Sequence, residues 1–234
     1  MKNLYFLIFL VFFASCSVFK KTNQQSIAAN QPHFVKIETD SGTMVVRLSN
    51  KTPKTTANFL KLVNNHFYDG LLFHRVIKGF MIQGGDPDSK NAAAGKMLGE
   101  GGLKYTVPAE FDTSLFHQKG AIAMARESDD VNPKKASSST QFYIVEGRTF
   151  TNNEMDKIEE KFKILIPESH RSVYRSVGGA PFLDMNYTVF GQVVDGLAVI
   201  DKIAHAAKDK NNRPLTDIHM KISTMKKKDF KKYL

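Results

Sequence analysis

The run from Phe73 to Asp86 constrains the fold and the chemistry of this chain more than any other segment. Side chains of an extended chain alternate between two faces, so Arg75 lies on the same face as Ile77. By the same alternation, Met81 and Gln83 share a face. If the two halves are neighbouring strands of one sheet, a guanidinium, an amide and apolar side chains converge on one surface. The run offers no nucleophile and no set of metal ligands, so it favours an apolar, carbonyl-bearing substrate that needs no covalent chemistry.

Composition is that of an ordinary globular protein. The 42% apolar and 24% charged residues exclude a disordered chain, and 234 residues suffice for one domain with a sizeable core. The seven His residues have no metal-ligand spacing with Cys or carboxylates, and no Ser lies in a nucleophile elbow. We therefore predict no metal and no cofactor.

The N-terminus has the pattern of an export signal. Lys2 precedes an apolar run from Leu4 to Phe13, and small residues follow, so residues 1–15 are predicted to be a signal peptide. The run is shorter than the roughly 20 residues of a membrane-spanning helix. Cys16 is the only Cys, and its setting resembles the lipoprotein box of bacteria, in which this Cys is lipidated. The alternative is ordinary secretion with a free thiol.

Residues 16–31 are predicted to be a lipidated Cys followed by a flexible tether. The segment is rich in Lys, Asn, Gln, Ser and Ala and has no periodic apolar face. The membrane would then be a partner through the N-terminal lipid. Ser17 resembles the sorting signal of enteric outer-membrane lipoproteins. We therefore expect a cell-envelope protein, anchored in the outer membrane and facing the periplasm.

The formal net charge of +10 is concentrated in part in a basic tail, residues 226–234. Such a tail can bind nucleic acid or an anionic surface. Nucleic acid is not expected as a partner, because the N-terminus predicts that the protein is exported. We predict a solvated, frayed terminus, with attachment to an anionic surface as the alternative.

The rest of the chain is predicted to be rich in β-strands. A helix should run from Thr52, as its N-cap, to Asn65, with Pro53 at its first position. A second helix should cover about 196–206. Alternating or short apolar segments predict strands at 34–39, 43–48, 73–77, 81–83, 121–125, 141–145, 189–193 and 218–224.

Two segments interrupt this pattern. Residues 86–107 indicate a long surface loop, whose glycines at 99–102 lack the frame of a phosphate-binding loop. Residues 151–180 predict a helical insertion packed on the domain, in which Thr151 and Glu154 form a capping box and Pro167 ends the first helix. The alternative is a helix pair that docks a partner.

Together these segments resemble the cyclophilin family of peptidyl-prolyl cis–trans isomerases. The resemblance implies a mainly β fold over residues 32–225, a closed eight-stranded antiparallel barrel capped by two α-helices. It also implies rotation about X–Pro bonds, proline-containing polypeptides as partners, and a monomer. Five motifs carry it in the family's order: Phe73–Asp86, Gly120–Ala125, Ser139–Ile144, Phe182–Asp184 and Tyr187–Val193.

The resemblance also implies roles for individual residues. Arg75 would be catalytic, donating a hydrogen bond to the prolyl nitrogen or the substrate carbonyl, and Gln83 would hold Arg75. His74 would make a structural hydrogen bond. The substrate-binding residues would be those of the proline pocket, the groove and the rim: Phe80, Met81, Tyr143, Leu183, Ala125, Arg126, Gln141, Phe182 and Tyr187.

Four of these positions depart from the common family pattern, one of them Tyr187, which replaces a common His but keeps an aromatic rim. Phe182 stands where many members have Trp, which puts binding of cyclosporin-type inhibitors in doubt. Tyr143 replaces a common Phe and brings a hydroxyl to the pocket. Arg126 replaces a common Asn, which predicts a preference for acidic residues before proline.

Two other function classes remain open from the sequence. One is a proline-binding or chaperone module, against which the Arg75–Gln83 pair argues. The other is an envelope-tethering protein that uses the lipid and the basic tail.

Overall fold

The computed structural model describes residues 32–234. The predicted signal peptide, the lipidation site Cys16 and the tether up to residue 31 lie outside the described residues. The helices within the described part are α1 (Pro53–Asn64), α2 (Asn152–Phe162), α3 (Glu168–Ser176), α4 (Leu197–Ala204) and α5 (Lys227–Phe230). The strands there are β1 (His33–Thr39), β2 (Gly42–Leu48), β3 (Leu71–Ile77), β4 (Met81–Gly84), β5 (Thr106–Val107), β6 (Ala121–Met124), β7 (Ser137–Ser138), β8 (Phe142–Val145), β9 (Val189–Asp195) and β10 (His219–Thr224).

Eight of these strands form the closed antiparallel barrel that the resemblance implies. Their order is β1-β10-β3-β4-β8-β6-β9-β2, and pairing of β1 with β2 closes the ring. Closure leaves no free sheet edge. β5 and β7 pair separately as a two-stranded sheet. In the ring β1 and β8 are four steps apart, so they lie on opposite sides of the barrel.

The two predicted capping helices seal the barrel core. Phe59 of α1 enters the core and packs against Tyr68, Phe142 and Phe190 at ring-centroid distances of 5.2, 5.6 and 5.1 Å. Ile200 of α4 is also fully buried. Burial of such side chains stabilises a fold by about 1.5–3 kcal/mol each.

The N-terminus of α1 is capped differently from the prediction. Thr52 occupies the N-cap position, but its side chain makes no capping hydrogen bond. The Glu110 carboxylate instead accepts hydrogen bonds from the backbone N–H groups of Lys54 (3.0 Å) and Thr55 (2.8 Å). An anion suits this position because the first N–H groups of a helix lack partners and carry partial positive charge.

The insertion folds as two helices packed on the domain. The capping box of Thr151 and Glu154 is confirmed. The prediction for Pro167 is wrong: α2 ends earlier, at Phe162, and Pro167 directly precedes α3. Met155 of α2 and Tyr174 of α3 are fully buried in a satellite core.

The predicted fraying of the basic tail is also wrong. Residues 227–230 form α5, and Phe230, 8% exposed, stacks on Phe34 of β1 at 4.6 Å. The aromatic side chains at 230 and 233 give the tail an apolar face that binds the barrel wall. Within residues 32–234, no helix has the length and apolarity needed to cross a bilayer.

Candidate active site

Strands β3 and β4 bring the predicted catalytic pair together. Arg75 lies directly opposite Gln83, and Ile77 opposite Met81, so all four side chains share the outer face of the barrel. Arg75 Nη1 donates a hydrogen bond to Gln83 Oε1 at 3.0 Å. The surface predicted from alternation alone is therefore present.

A hydrogen-bond relay extends from Arg75 to the glycine-rich loop. Gln83 Nε2 donates to Gln141 Oε1 at 3.0 Å. Gln141 Nε2 donates in turn to the carbonyl groups of Gly99 (2.8 Å) and Gly101 (2.7 Å). Each amide is thus oriented by its neighbour, and the guanidinium is held by the last of them.

The loop predicted at 86–107 serves as one wall of this site. The buried Asp86 carboxylate accepts hydrogen bonds from the backbone N–H groups of Gly99 and Gly101. A Cβ on Gly101 would lie 2.1 Å from Asp86 Oδ1, so only glycine fits there. In the sequence, this wall was indicated by the glycine cluster alone. The residues that hold the glycines, Asp86 and Gln141, lie far from them in the chain.

The charge of Arg75 is not neutralised by a carboxylate among the described residues. Partial burial lowers the pKa of Arg75 below its usual value, but a guanidinium remains protonated in proteins. Among the described residues no carboxylate pairs with it; its polar partner is the neutral Gln83 amide. A substrate oxygen or nitrogen can therefore accept from the remaining N–H groups.

A cleft of about 680 Å³ opens over the pair. This volume lies within the range of small-ligand sites, about 300–1,000 Å³. Phe182 is not among its lining residues and instead packs beside the cleft, 5.5 Å from the ring of Phe80. All other predicted catalytic and substrate-binding residues line the cleft: Arg75, Phe80, Met81, Gln83, Ala125, Arg126, Gln141, Tyr143, Leu183 and Tyr187.

The apolar part of the cleft rests on the turn between β3 and β4. Gly79 has φ +75°, and its N–H donates to the buried Glu146 carboxylate. The Phe80 carbonyl accepts from the N–H groups of Glu146 and Gly147, both at 3.0 Å. These bonds hold the backbone of the turn that carries Phe80. The sequence predicted Phe80 as a pocket residue but did not predict its support from Glu146.

The Tyr143 hydroxyl does not enter the pocket, contrary to the prediction. It lies 2.9 Å from Nε2 of the fully buried His117. His117 Nδ1 is 2.8 Å from Asp184 Oδ1, and the Tyr174 hydroxyl donates to Asp184 Oδ2 at 2.7 Å. Because a carboxylate only accepts, Nδ1 of His117 donates to Asp184. The network satisfies the hydroxyl behind the pocket and links the pocket floor to α3. No local sequence pattern predicted this network.

Arg126 lines the cleft as predicted, but its charge already has partners. Its side chain is only 6% exposed and pairs with Asp129 at 2.6 Å. Its Nε donates to the Asn186 carbonyl at 2.7 Å, and the guanidinium lies 4.6 Å from the centroid of the Tyr187 ring. The charge is compensated and supports the rim. The structure therefore gives no basis for the predicted preference for acidic residues before proline.

His74 lines the cleft, and among residues 32–234 its ring forms no hydrogen bond of normal geometry, contrary to the predicted structural hydrogen bond. Neither ring nitrogen has a hydrogen-bond partner among the described residues, although the residue is only 3% exposed. Burial lowers the pKa of His74 to about 4, so the ring is neutral at pH 7. Within residues 32–234, no group of three His, Cys, Asp or Glu side chains is placed to hold a metal ion.

Comparisons with known proteins agree on one family. Its model, cyclophilin type peptidyl-prolyl cis-trans isomerase/CLD, matches residues 34–226. A Staphylococcus aureus (strain USA300) relative, named as a candidate peptidyl-prolyl cis-trans isomerase, is 35% identical over 185 residues, covering 79% of this chain and 87% of the relative. A Staphylococcus haemolyticus relative of the same name is 33% identical over 185 residues, with 79% and 86% covered.

Solved structures show the same fold. A crystal structure of a cyclophilin type peptidyl-prolyl cis-trans isomerase from Cryptosporidium parvum has a TM-score of 0.60 at 24% identity, covering 84% of this chain and 99% of that chain. The structure of that protein in the presence of the dipeptide Ala-Pro has a TM-score of 0.58, also at 24% identity, covering 82% and 99%.

Proposed function

Since the chain belongs to the cyclophilin-type peptidyl-prolyl cis–trans isomerase family, we propose that it isomerises X–Pro bonds in the cleft by a non-covalent mechanism assisted by Arg75. The observation that carries this mechanism is the relay of Arg75, Gln83 and Gln141, which holds at the cleft a guanidinium that has no carboxylate partner among residues 32–234. Proline-containing polypeptides are the substrates.

The reaction requires rotation and no bond cleavage. Resonance gives the peptide bond a barrier of about 18–20 kcal/mol, so uncatalysed X–Pro rotation takes tens to hundreds of seconds. In the twisted amide, conjugation is lost and the lone pair of the prolyl nitrogen, which was delocalised into the carbonyl, becomes localised on the nitrogen and can accept a hydrogen bond. A donor that binds this nitrogen stabilises the transition state over the ground state, and each 1.36 kcal/mol of that preference raises the rate tenfold.

The cleft supplies such a donor in a fixed orientation. The Gln83 amide occupies one edge of the Arg75 guanidinium, which leaves its other N–H groups for the substrate. The proline ring would rest on Met81, Phe80 and Leu183, which line the apolar part of the cleft. Water excluded by these side chains would strengthen the hydrogen bond from Arg75.

The test is substitution of Arg75. Loss of one preorganised donor of this kind costs about 100- to 1,000-fold in rate, so we expect such a fall in kcat/KM for Arg75→Ala in a protease-coupled or NMR-exchange assay. Arg75→Lys keeps the charge but loses the planar fork, and should recover only part of the activity. Arg47→Ala, an exposed arginine on β2, is the matched control. A wild-type rate for Arg75→Ala would contradict the mechanism and favour a proline-binding chaperone module.

We further propose that the enzyme acts on exported proteins from a lipid anchor at Cys16. The support is the signal pattern of residues 1–15 followed directly by the only Cys. Labelled palmitate should be incorporated into the wild-type chain and recovered in the outer-membrane fraction of the envelope. Cys16→Ser should abolish the label and release the protein from that fraction.

A further inference from the structure

The basic tail packs on the barrel wall. Phe230 is buried against Phe34, and the Met225 N–H donates to the Phe34 carbonyl at 2.9 Å. The Tyr233 hydroxyl donates to Asp195 Oδ2 at 2.6 Å. Five exposed lysines surround this anchor and form what we call the basic face: Lys226, Lys227, Lys228, Lys231 and Lys232.

Charge around the basic face is predominantly positive. The tail itself carries five lysines against Asp229. Lys232 lies 4.0 Å from Asp195, a distance at which the pair is weak because both side chains are exposed. On the strands beneath, Arg47 pairs in register with Phe34, and its exposed side chain adds a further cation.

The basic face lies beside β1, the strand that follows the predicted tether of residues 16–31, and away from the cleft. The described chain begins at Pro32, and β1, which begins at His33, carries the Phe34 anchor. The catalytic pair lies on β3 and β4, and Gln141 directly precedes β8. Since β1 and β8 are on opposite sides of the ring, the basic face and the cleft point in roughly opposite directions.

We propose that the basic face binds an anionic lipid surface and thereby orients the cleft away from the membrane. Lysine ammonium groups suit lipid phosphates because they are compact charges on flexible stems. Each lysine near such a surface adds about fivefold to binding, and a second signal of this kind stabilises attachment by a lipid chain. The proposal shares its envelope setting with the proposed anchor at Cys16, but it is tested without the lipid.

The experiment uses the chain from residue 16 onward with Cys16→Ser, which removes both signal segment and lipid. Sedimentation should show binding to vesicles of phosphatidylcholine mixed with phosphatidylglycerol, but not to phosphatidylcholine alone, and raised salt should weaken it. The combined change Lys227→Gln, Lys228→Gln and Lys231→Gln retains the Phe230 anchor and should weaken binding about 100-fold. The matched control changes three exposed lysines elsewhere to Gln and should leave binding nearly unchanged: Lys90, Lys157 and Lys210.

Several results would overturn the proposal. Equal binding to both vesicle types would show that binding does not require an anionic lipid. Equal weakening by the two triple variants would show that net charge acts, without a specific face. Preferential binding to a DNA duplex over the vesicles would assign the face to nucleic acid. Turnover of a short proline peptide should be the same for free and vesicle-bound protein; suppression on binding would mean that the cleft faces the membrane. Failure of this proposal leaves the Arg75 mechanism untouched, because that is measured without vesicles.

Discussion

Burial controls the protonation of His74, and this has a measurable effect on stability. The ring is neutral at pH 7, because burial lowers its pKa to about 4 from the value of 6.5 expected in the unfolded chain. Between pH 6.5 and 4 the unfolded chain therefore binds a proton that the folded chain does not. The contribution of His74 to the free energy of unfolding is complete above pH 6.5 and is lost as the pH falls toward 4.

We expect this linkage to lower the free energy of unfolding by about 2 kcal/mol between pH 8 and pH 5. His74→Gln should lose that part of the pH dependence, since the amide does not titrate. Urea denaturation of both proteins at the two pH values measures the difference, and other titrating groups cancel in the comparison. An equal fall in both proteins would show that His74 is protonated in the folded state.

The Tyr143 hydroxyl should matter for stability rather than for substrate binding. Tyr143→Phe keeps the ring in the cleft but leaves His117 Nε2 buried without its partner. An unsatisfied buried polar group costs about 1–3 kcal/mol, so thermal or urea denaturation should show a loss of this size. KM for a proline peptide should change little. Tyr105→Phe, which removes an exposed hydroxyl bonded to Asn58, is the control and should cost less. A rise in KM without loss of stability would place the hydroxyl in the pocket.

At the scale of elements, the helical insertion extends the aromatic surface beside the cleft. Phe162 at the end of α2 is 42% exposed and packs 5.9 Å from Phe182, which in turn packs 5.5 Å from Phe80. The three rings form a continuous row from the cleft outward. A substrate that continues beyond the proline pocket can therefore rest an apolar side chain on this row.

Phe162→Ala should raise KM for peptides that carry an aromatic residue after the proline. Partial burial of such a side chain is worth about 1 kcal/mol, which corresponds to about fivefold. Peptides with Gly at those positions should be unaffected. Leu165→Ala, also in the insertion and 80% exposed, is the matched control. Equal effects of Phe162→Ala on both peptide sets would indicate that the insertion supports the fold without touching the substrate.

The elements that the sequence predicted are those that local pattern determines. Period-two alternation located the strands of Phe73–Asp86, and a capping box located the start of α2. What it missed depends on residues far apart in the chain. Glu110 caps α1 across 55 residues, and Asp184 reaches His117 across 67. The barrel fold brings these residues together although they are far apart in the chain. A local sequence pattern therefore cannot predict such pairs.

At the scale of the whole molecule, the closed barrel separates two faces. The ring order alone puts the Arg75 cleft and the α5 tail on opposite sides. Side chains that support one face therefore have no direct contact with the other. A change at the tail should then act on global stability while leaving the chemistry of the folded enzyme intact.

Phe230→Ala tests this separation. The ring packs on Phe34 and Val45 at the barrel surface, so its loss should cost about 2 kcal/mol and lower Tm by about 4–8 °C. At 25 °C, kcat/KM of the folded protein should match wild type, because Arg75 and Gln83 keep their register. The conservative Phe230→Leu should recover most of the stability. A fall in kcat/KM that parallels the loss of stability would instead mean that the tail and the cleft are coupled through the barrel wall. The two faces would then not be independent.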